Sequence, residues 1–168
     1  TAAAMSAAVL GTIENTTVKT VDASAMTAGG IEATLSTNDA ISVVGGQGTD
    51  RITTGAALGA SGSVNAGDGT DTLIVSDSAH LASSTVGARY TNFETLQVQN
   101  GVAVDLDNIE GITAVNMNDG DSNSTALTDM SATQAENVTI LAGDGAAILG
   151  VKGAGKTGQI DTIKMTFD

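Results

Sequence analysis

Apolar and polar positions alternate along this chain in short runs, and clusters of Gly, Asn, Asp and Ser separate the runs. The runs fall at 18–21, 41–44, 73–75, 95–98, 102–106, 112–117, 138–141 and 160–167. Alternation over so few residues predicts short β-strands, each turning one face to a core. Helical spacing is scarce. Thr is scattered throughout, and its branched Cβ makes it a weak helix former. Two Ala/Ser-rich stretches, 1–10 and 78–88, are the exceptions and predict single helical turns or lateral insertions.

Many short strands can build a sandwich, a barrel or a stacked coil, and internal similarity separates these. NFETLQVQ (92–99), DNIEGITAVNM (107–117) and AENVTILAG (135–143) share one form: an Asn or acidic residue, an apolar residue, a spacer and a strand. The segment IENTTVKTVDASAM (13–26) has it too. Units of this kind bury their apolar positions against their neighbours, which predicts an all-β fold, a parallel β-solenoid of the β-helix or β-roll kind. The absence of Pro agrees, because Pro deletes a ladder hydrogen bond in an interior strand. Residues 1–168 read as a single solenoid segment, with calcium-type turns at 45–74 and less regular coils at 90–168. Because alternation runs on to Phe167, the segment is expected to belong to a longer protein.

Composition narrows the function classes. Apolar residues reach 41% and charged residues only 15%, which is not the balance of a disordered chain. Aromatics at 2% leave no stacking platform for single-stranded nucleic acid. A net charge of −13 repels phosphate backbones and anionic membranes and attracts cations. With no Cys there are no disulfides or thiolate metal sites. No apolar run approaches the roughly 20 residues of a membrane-spanning helix.

Residues 45–53, GGQGTDRIT, match the nonapeptide G-G-x-G-x-D-x-U-x, where U is a large apolar residue. Gly45, Gly46, Gly48, Asp50 and Ile52 hold its defining places. Residues 66–74, AGDGTDTLI, match except for Ala66 in place of the first Gly. The glycines permit a tight turn with positive φ and aim carbonyl oxygens inward. The Asp adds a hard anionic oxygen, and the apolar residue starts a short strand. Two such turns stacked together surround a cation with oxygens, and Ca²⁺ takes 6–8 of them. One Ca²⁺ is therefore expected between the turns. Asp50 and Asp71 are its side-chain ligands, carbonyls near Gly46, Gly48, Gly67 and Gly69 complete the shell, and Asp68 is an additional candidate. The two acids lie 21 residues apart, against roughly 18 for a coil of two nonapeptides, so three extra residues should bulge within 54–64. That stretch has no acidic residue, so no ion is expected on the opposite edge. AGDGAAILG (142–150) keeps Gly143, Asp144 and Gly145 and reads as a degenerate turn. NDGDSN (118–123) reads as a solvated loop, since it lacks the bidentate Glu of an EF-hand.

The nonapeptides resemble the repeats-in-toxin (RTX) family of bacterial proteins. The wider arrangement resembles Gram-negative surface-layer (S-layer) proteins with RTX-type repeats. It runs through VKTVDASAMTAGGIEATL (18–35), VVGGQGTDRIT (43–53), YTNFETLQVQNG (90–101), VDLDNIEGITAVNM (104–117) and GQIDTIKMTFD (158–168). The resemblance implies secretion by a type I exporter, folding outside the cell on meeting Ca²⁺, and a place in a self-assembling lattice. Its partners would be copies of itself and a cell-surface glycan or lipopolysaccharide.

No catalytic set emerges, and the chain is not expected to be an enzyme. His80 is the single His and reads as a surface residue, so zinc triads cannot form. Residues 150–157, GVKGAGKT, fit the spacing of a phosphate loop, but with a net charge of −13 no nucleotide site is expected there. Lys152, Lys156 and Lys164 read as a basic patch for an acidic face of a neighbouring subunit. The expected function is a structural module of a bacterial surface array. The alternatives are an adhesin or tail-type recognition module and the secretion and folding tail of an RTX hydrolase.

Overall fold

The computed structural model describes residues 7–14, 17–36, 39–99, 101–119, 123–143, 146–154 and 162–168. Its strands are β1 Ala8–Ile13, β2 Thr20–Asp22, β3 Ile31–Leu35, β4 Ser42–Val44, β5 Arg51–Thr53, β6 Ser63–Asn65, β7 Thr72–Val75, β8 Tyr90–Thr91, β9 Thr95–Gln99, β10 Ala103–Asp105, β11 Ala114–Asp119, β12 Thr125–Met130, β13 Val138–Gly143, β14 Ala147–Val151 and β15 Met165–Phe167. The helical pieces are single turns: α1 Ser84–Gly87, α2 Ala132–Ala135 and two 3₁₀ segments, Ser78–Leu81 and Leu106–Asn108.

The odd strands form one sheet in the order β1-β3-β5-β7-β9-β11-β13-β15. The even strands form two more, β2-β4-β6-β8 and β10-β12-β14. Each described pairing is parallel. The chain thus leaves the large sheet after each odd strand, runs one even strand, and returns beside the odd strand it left. The fold is mostly β with parallel sheets, as the alternation predicts.

Register aligns like with like. Ala33, Ile52, Leu73, Leu96, Val115 and Val138 pair in succession across the large sheet. Val43, Val64 and Tyr90 do so across the second. None of these nine residues is more than 2% exposed. Mostly aliphatic side chains in successive strands stack on one another, so the core is a set of columns rather than a cluster of rings. The three similar segments noted above become β9, β11 and β13, neighbours in one sheet.

Six residues (36–41) link β3 to β4, whereas nine (54–62) link β5 to β6, and the three-residue excess falls where the spacing of the acids places it. The helical expectation for 78–88 is met by a 3₁₀ turn and α1. The expectation for 1–10 is overturned in its described part, because β1 begins at Ala8 and the Ala8 amide donates to the Gly30 carbonyl at 2.7 Å. Pairing with β3 outweighs the helix propensity of Ala there. AGDGAAILG spans the end of β13 and the start of β14, where the chain leaves the large sheet rather than enters it, and Asp144 and Gly145 lie outside the described residues. So do residues 120–122 of the acidic loop and 155–157 of GVKGAGKT.

Candidate cation site

The chain enters the large sheet through stacked turns. Residues 45–50 lead into β5, residues 66–71 into β7, and residues 92–94 into β9. The last residue of each turn is acidic: Asp50, Asp71 and Glu94. Because Arg51, Thr72 and Thr95 are register partners, these three acids lie side by side on adjacent strands.

Each acid reaches back one level. Oδ1 of Asp50 accepts from the Ile31 amide at 2.5 Å, Oδ1 of Asp71 from the Asp50 amide at 2.7 Å, and Oε2 of Glu94 from the Asp71 amide at 2.8 Å. Asp50 and Asp71 are both 0% exposed. Their Oδ2 atoms are buried and have no hydrogen-bond partner. A carboxylate oxygen stripped of water and left unpaired costs free energy, and a bound cation would remove that cost. Burial is the main cause that raises both carboxyls above the usual range. For Asp50 the Ile31 and Gly46 amides oppose it. Asp71 is pushed up to about 6; the Asp50 amide opposes the rise, and the charges of Asp50, Glu94 and Asp68 add to it.

Main-chain oxygens crowd the same space. The Ala66 carbonyl and Asp50 Oδ2 lie 1.9 and 2.2 Å from where a Cβ on Gly45 would stand. Two acceptors thus converge in a space that a side chain on Gly45 would fill, an arrangement suited to a cation. The Gly46 and Gly48 carbonyls point at the second turn, 2.2 and 2.3 Å from the Cβ positions of Gly67 and Gly69. The Gly46 carbonyl also accepts from the Asp68 amide at 2.8 Å.

The structure brings Asp50, Asp71, Gly46, Gly48, Gly67 and Gly69 together. Asp68 is exposed, and its charge acts on Asp71. Positive φ serves the second turn, at Gly67 (96°) and Gly69 (142°), but none of Gly45, Gly46 and Gly48 uses it. In the first turn the glycines are required for close approach of neighbouring backbone. Ala66 and Glu94 escaped the sequence reading. Glu94 carries a legible signal: Asp50–Ile52, Asp71–Leu73 and Glu94–Leu96 all read acid, polar, apolar.

Two further expectations change. His80 is half-buried, with Nδ1 2.8 Å from Thr54 Oγ1, so it is not a free surface group. Lys152 pairs with Asp107 at 2.6 Å within the chain, which removes it from an open basic patch, and Lys156 lies outside the described residues. Among the described residues, no three His, Cys, Asp or Glu side chains form a metal-binding group, so main-chain oxygens must supply much of any ion's shell. No helix among them is long and apolar enough to cross a membrane. Comparison with protein-family models, curated proteins and solved structures finds no match.

Proposed function

We propose that the chain is a parallel β-solenoid segment whose stacked glycine turns bind Ca²⁺, and that it acts as a structural module of a secreted, self-assembling bacterial surface layer. The observation that carries the calcium reading is the pair of buried, unpartnered carboxylate oxygens in adjacent turns, one of them facing a main-chain carbonyl. Asp50, Asp71 and the carbonyls of Ala66, Gly46 and Gly48 would hold the ion. Ca²⁺ would supply the positive charge that this oxygen-lined space lacks. The residues themselves fix the geometry: each Asp is clamped by an amide of the preceding level, so the ligands are ordered before the ion arrives.

An ion bound only by the folded turns adds RT ln(1 + [L]/Kd) to stability, about 2.7 kcal/mol at 100 times Kd. Low calcium inside a bacterium and high calcium outside would make this a folding switch. The net charge of −13 would resist collapse before export. The surface-array reading rests on the family resemblance, and the acidic, Cys-free, low-aromatic composition supports it. Thermal unfolding by circular dichroism, with millimolar CaCl₂ and with excess chelator, tests the calcium reading, which an unchanged Tm would refute. Negative-stain microscopy with calcium tests assembly. Sheets or large oligomers support the array, whereas a calcium-stabilised monomer would point to a secretion tail.

A further inference from the structure

Residues 76–89 link β7 to β8, and their first turn, the 3₁₀ segment Ser78–Leu81, carries His80. Three contacts fasten the start of this insertion to Thr54, which heads the 54–62 link and is 1% exposed. The Ser76 amide donates to Thr54 Oγ1 at 3.1 Å, Ser76 Oγ donates to the Thr54 carbonyl at 2.6 Å, and His80 Nδ1 lies 2.8 Å from Thr54 Oγ1. The same turn also reaches the next level. Ser78 Oγ accepts from the Ala103 amide at 2.8 Å, and the Leu81 carbonyl accepts from Asn108 Nδ2 at 2.9 Å. One short turn thus joins three successive levels of the coil.

The available protons fix the direction of the His80 bond. Thr54 Oγ1 already accepts from the Ser76 amide, and the Ser76 hydroxyl proton goes to the Thr54 carbonyl. Two acceptors remain for the Thr54 hydroxyl proton: His80 Nδ1 at 2.8 Å and Ser76 Oγ at 3.4 Å. The shorter contact is made when Nδ1 is bare and Nε2 carries the ring proton. A proton arriving on Nδ1 reverses that bond and turns the Thr54 proton to the longer contact.

We propose that His80 is a pH-sensitive latch: its neutral ring holds the 76–89 insertion against the coil, and protonation in a mildly acidic medium loosens it. Burial of the ring favours the neutral form, and the charge of Asp77 opposes it. The other elements packed around the turn bring little charge. The 54–62 link, β7 and α1 have no charged residue, and Asp105 on β10 turns its Oδ1 to the Asp107 amide. The latch is independent of the calcium reading, because no residue of the cation turns takes part in it.

His80 is the single histidine, so one imidazole signal in an NMR titration of the whole chain reports it. The ring ¹⁵N shifts should place the proton on Nε2 at neutral pH, with a midpoint below the ~6.5 of an unperturbed imidazole. Protection of the Ser76 and Ala103 amides from hydrogen exchange, corrected for intrinsic rates, should fall severalfold from pH 7 to pH 5. His80→Asn sets a polar group that does not titrate near the Nδ1 position, and it should abolish this fall. Circular dichroism checks that the variant is folded; if it is not, the wild-type titration still decides. A proton on Nδ1 at neutral pH, or a midpoint at or above that of the unperturbed ring, overturns the latch. So does protection that follows the same pH course in the wild type and in folded His80→Asn.

Discussion

The main-chain amide of Asp50 donates to Oδ1 of Asp71 at 2.7 Å, from one turn to the next across 21 residues of sequence. The Asp71 side chain therefore has two jobs with opposite energetic signs. Its Oδ1 satisfies a buried amide of the preceding level, which stabilises the stack. Its charge, with Oδ2 unpartnered, destabilises the stack until a cation arrives.

Two substitutions separate these jobs. Asp71→Asn keeps the acceptor and removes the charge, so the metal-free protein should gain about 1–2 kcal/mol. Asp71→Ala orphans the Asp50 amide and should lose about 1–3 kcal/mol. Both should show a smaller calcium response than the wild type. Urea unfolding in chelator measures the first two effects, and equal midpoints for Asn and Ala would contradict the split.

The same side chain sets a pH dependence. Its carboxyl moves from 3.8 in the unfolded chain to about 6 in the folded one. Between those values the native state holds a proton that the unfolded state has lost, so stability falls as pH rises. Burial raises Asp50 in the same direction. The metal-free protein should thus melt higher at pH 4.5 than at pH 7, with the loss complete above about 6. His80 acts in the opposite sense, because burial holds its pKa below 6.5 and its contribution is lost as pH falls below that value. A His80→Gln variant should therefore show a steeper acid gain. With saturating Ca²⁺ the Asp71 trend should reverse, since the ion needs the deprotonated side chain. A Tm series in chelator from pH 4 to 8 that rises with pH would contradict the assignment.

The large sheet was legible because its strands carry paired aliphatic residues, as in Leu73–Val75 and Leu96–Val98. The even strands were less so. β6 shows one apolar residue, Val64, between Ser63 and Asn65, which no periodicity can mark, yet Val64 is 0% exposed. Its burial follows from neighbours in space, Val43 and Tyr90, which the sequence does not juxtapose. α2 was missed although its capping box, Ser131 with Gln134, is a readable signal. Asp50 and Asp71 were legible because the nonapeptide fixes them. The back-reaching pattern was not, because it depends on which oxygen meets which amide.

Thr54 is 1% exposed, and its hydroxyl joins the 54–62 link to the insertion that follows β7. Oγ1 accepts from the Ser76 amide at 3.1 Å and lies 2.8 Å from His80 Nδ1. Thr54→Val keeps the shape and removes both contacts. It should cost about 1–3 kcal/mol, because the Ser76 amide loses its partner. Hydrogen exchange should show faster exchange at Ser76, and an unchanged rate there would count against the contact.

The glycines offer the sharpest steric test, because three of them separate two causes. Gly11 has φ 64° and open space around its Cβ position, so Gly11→Ala meets only the backbone penalty, about 1–2 kcal/mol. Gly48 has no left-handed φ, but a Cβ there would lie 1.4 Å from the Gly29 carbonyl oxygen. Backbone cannot yield by that much without parting the two turns. Gly67 combines both causes, with φ 96° and the Gly46 carbonyl oxygen 2.2 Å away. Gly48→Ala and Gly67→Ala should each cost more than about 3 kcal/mol and abolish the calcium-dependent rise in Tm. Gly11→Ala should leave that rise intact, since it lies on β1, away from the 45–71 turns. If Gly48→Ala proved as mild as Gly11→Ala, the close stacking of turns on which the cation cradle depends would be wrong.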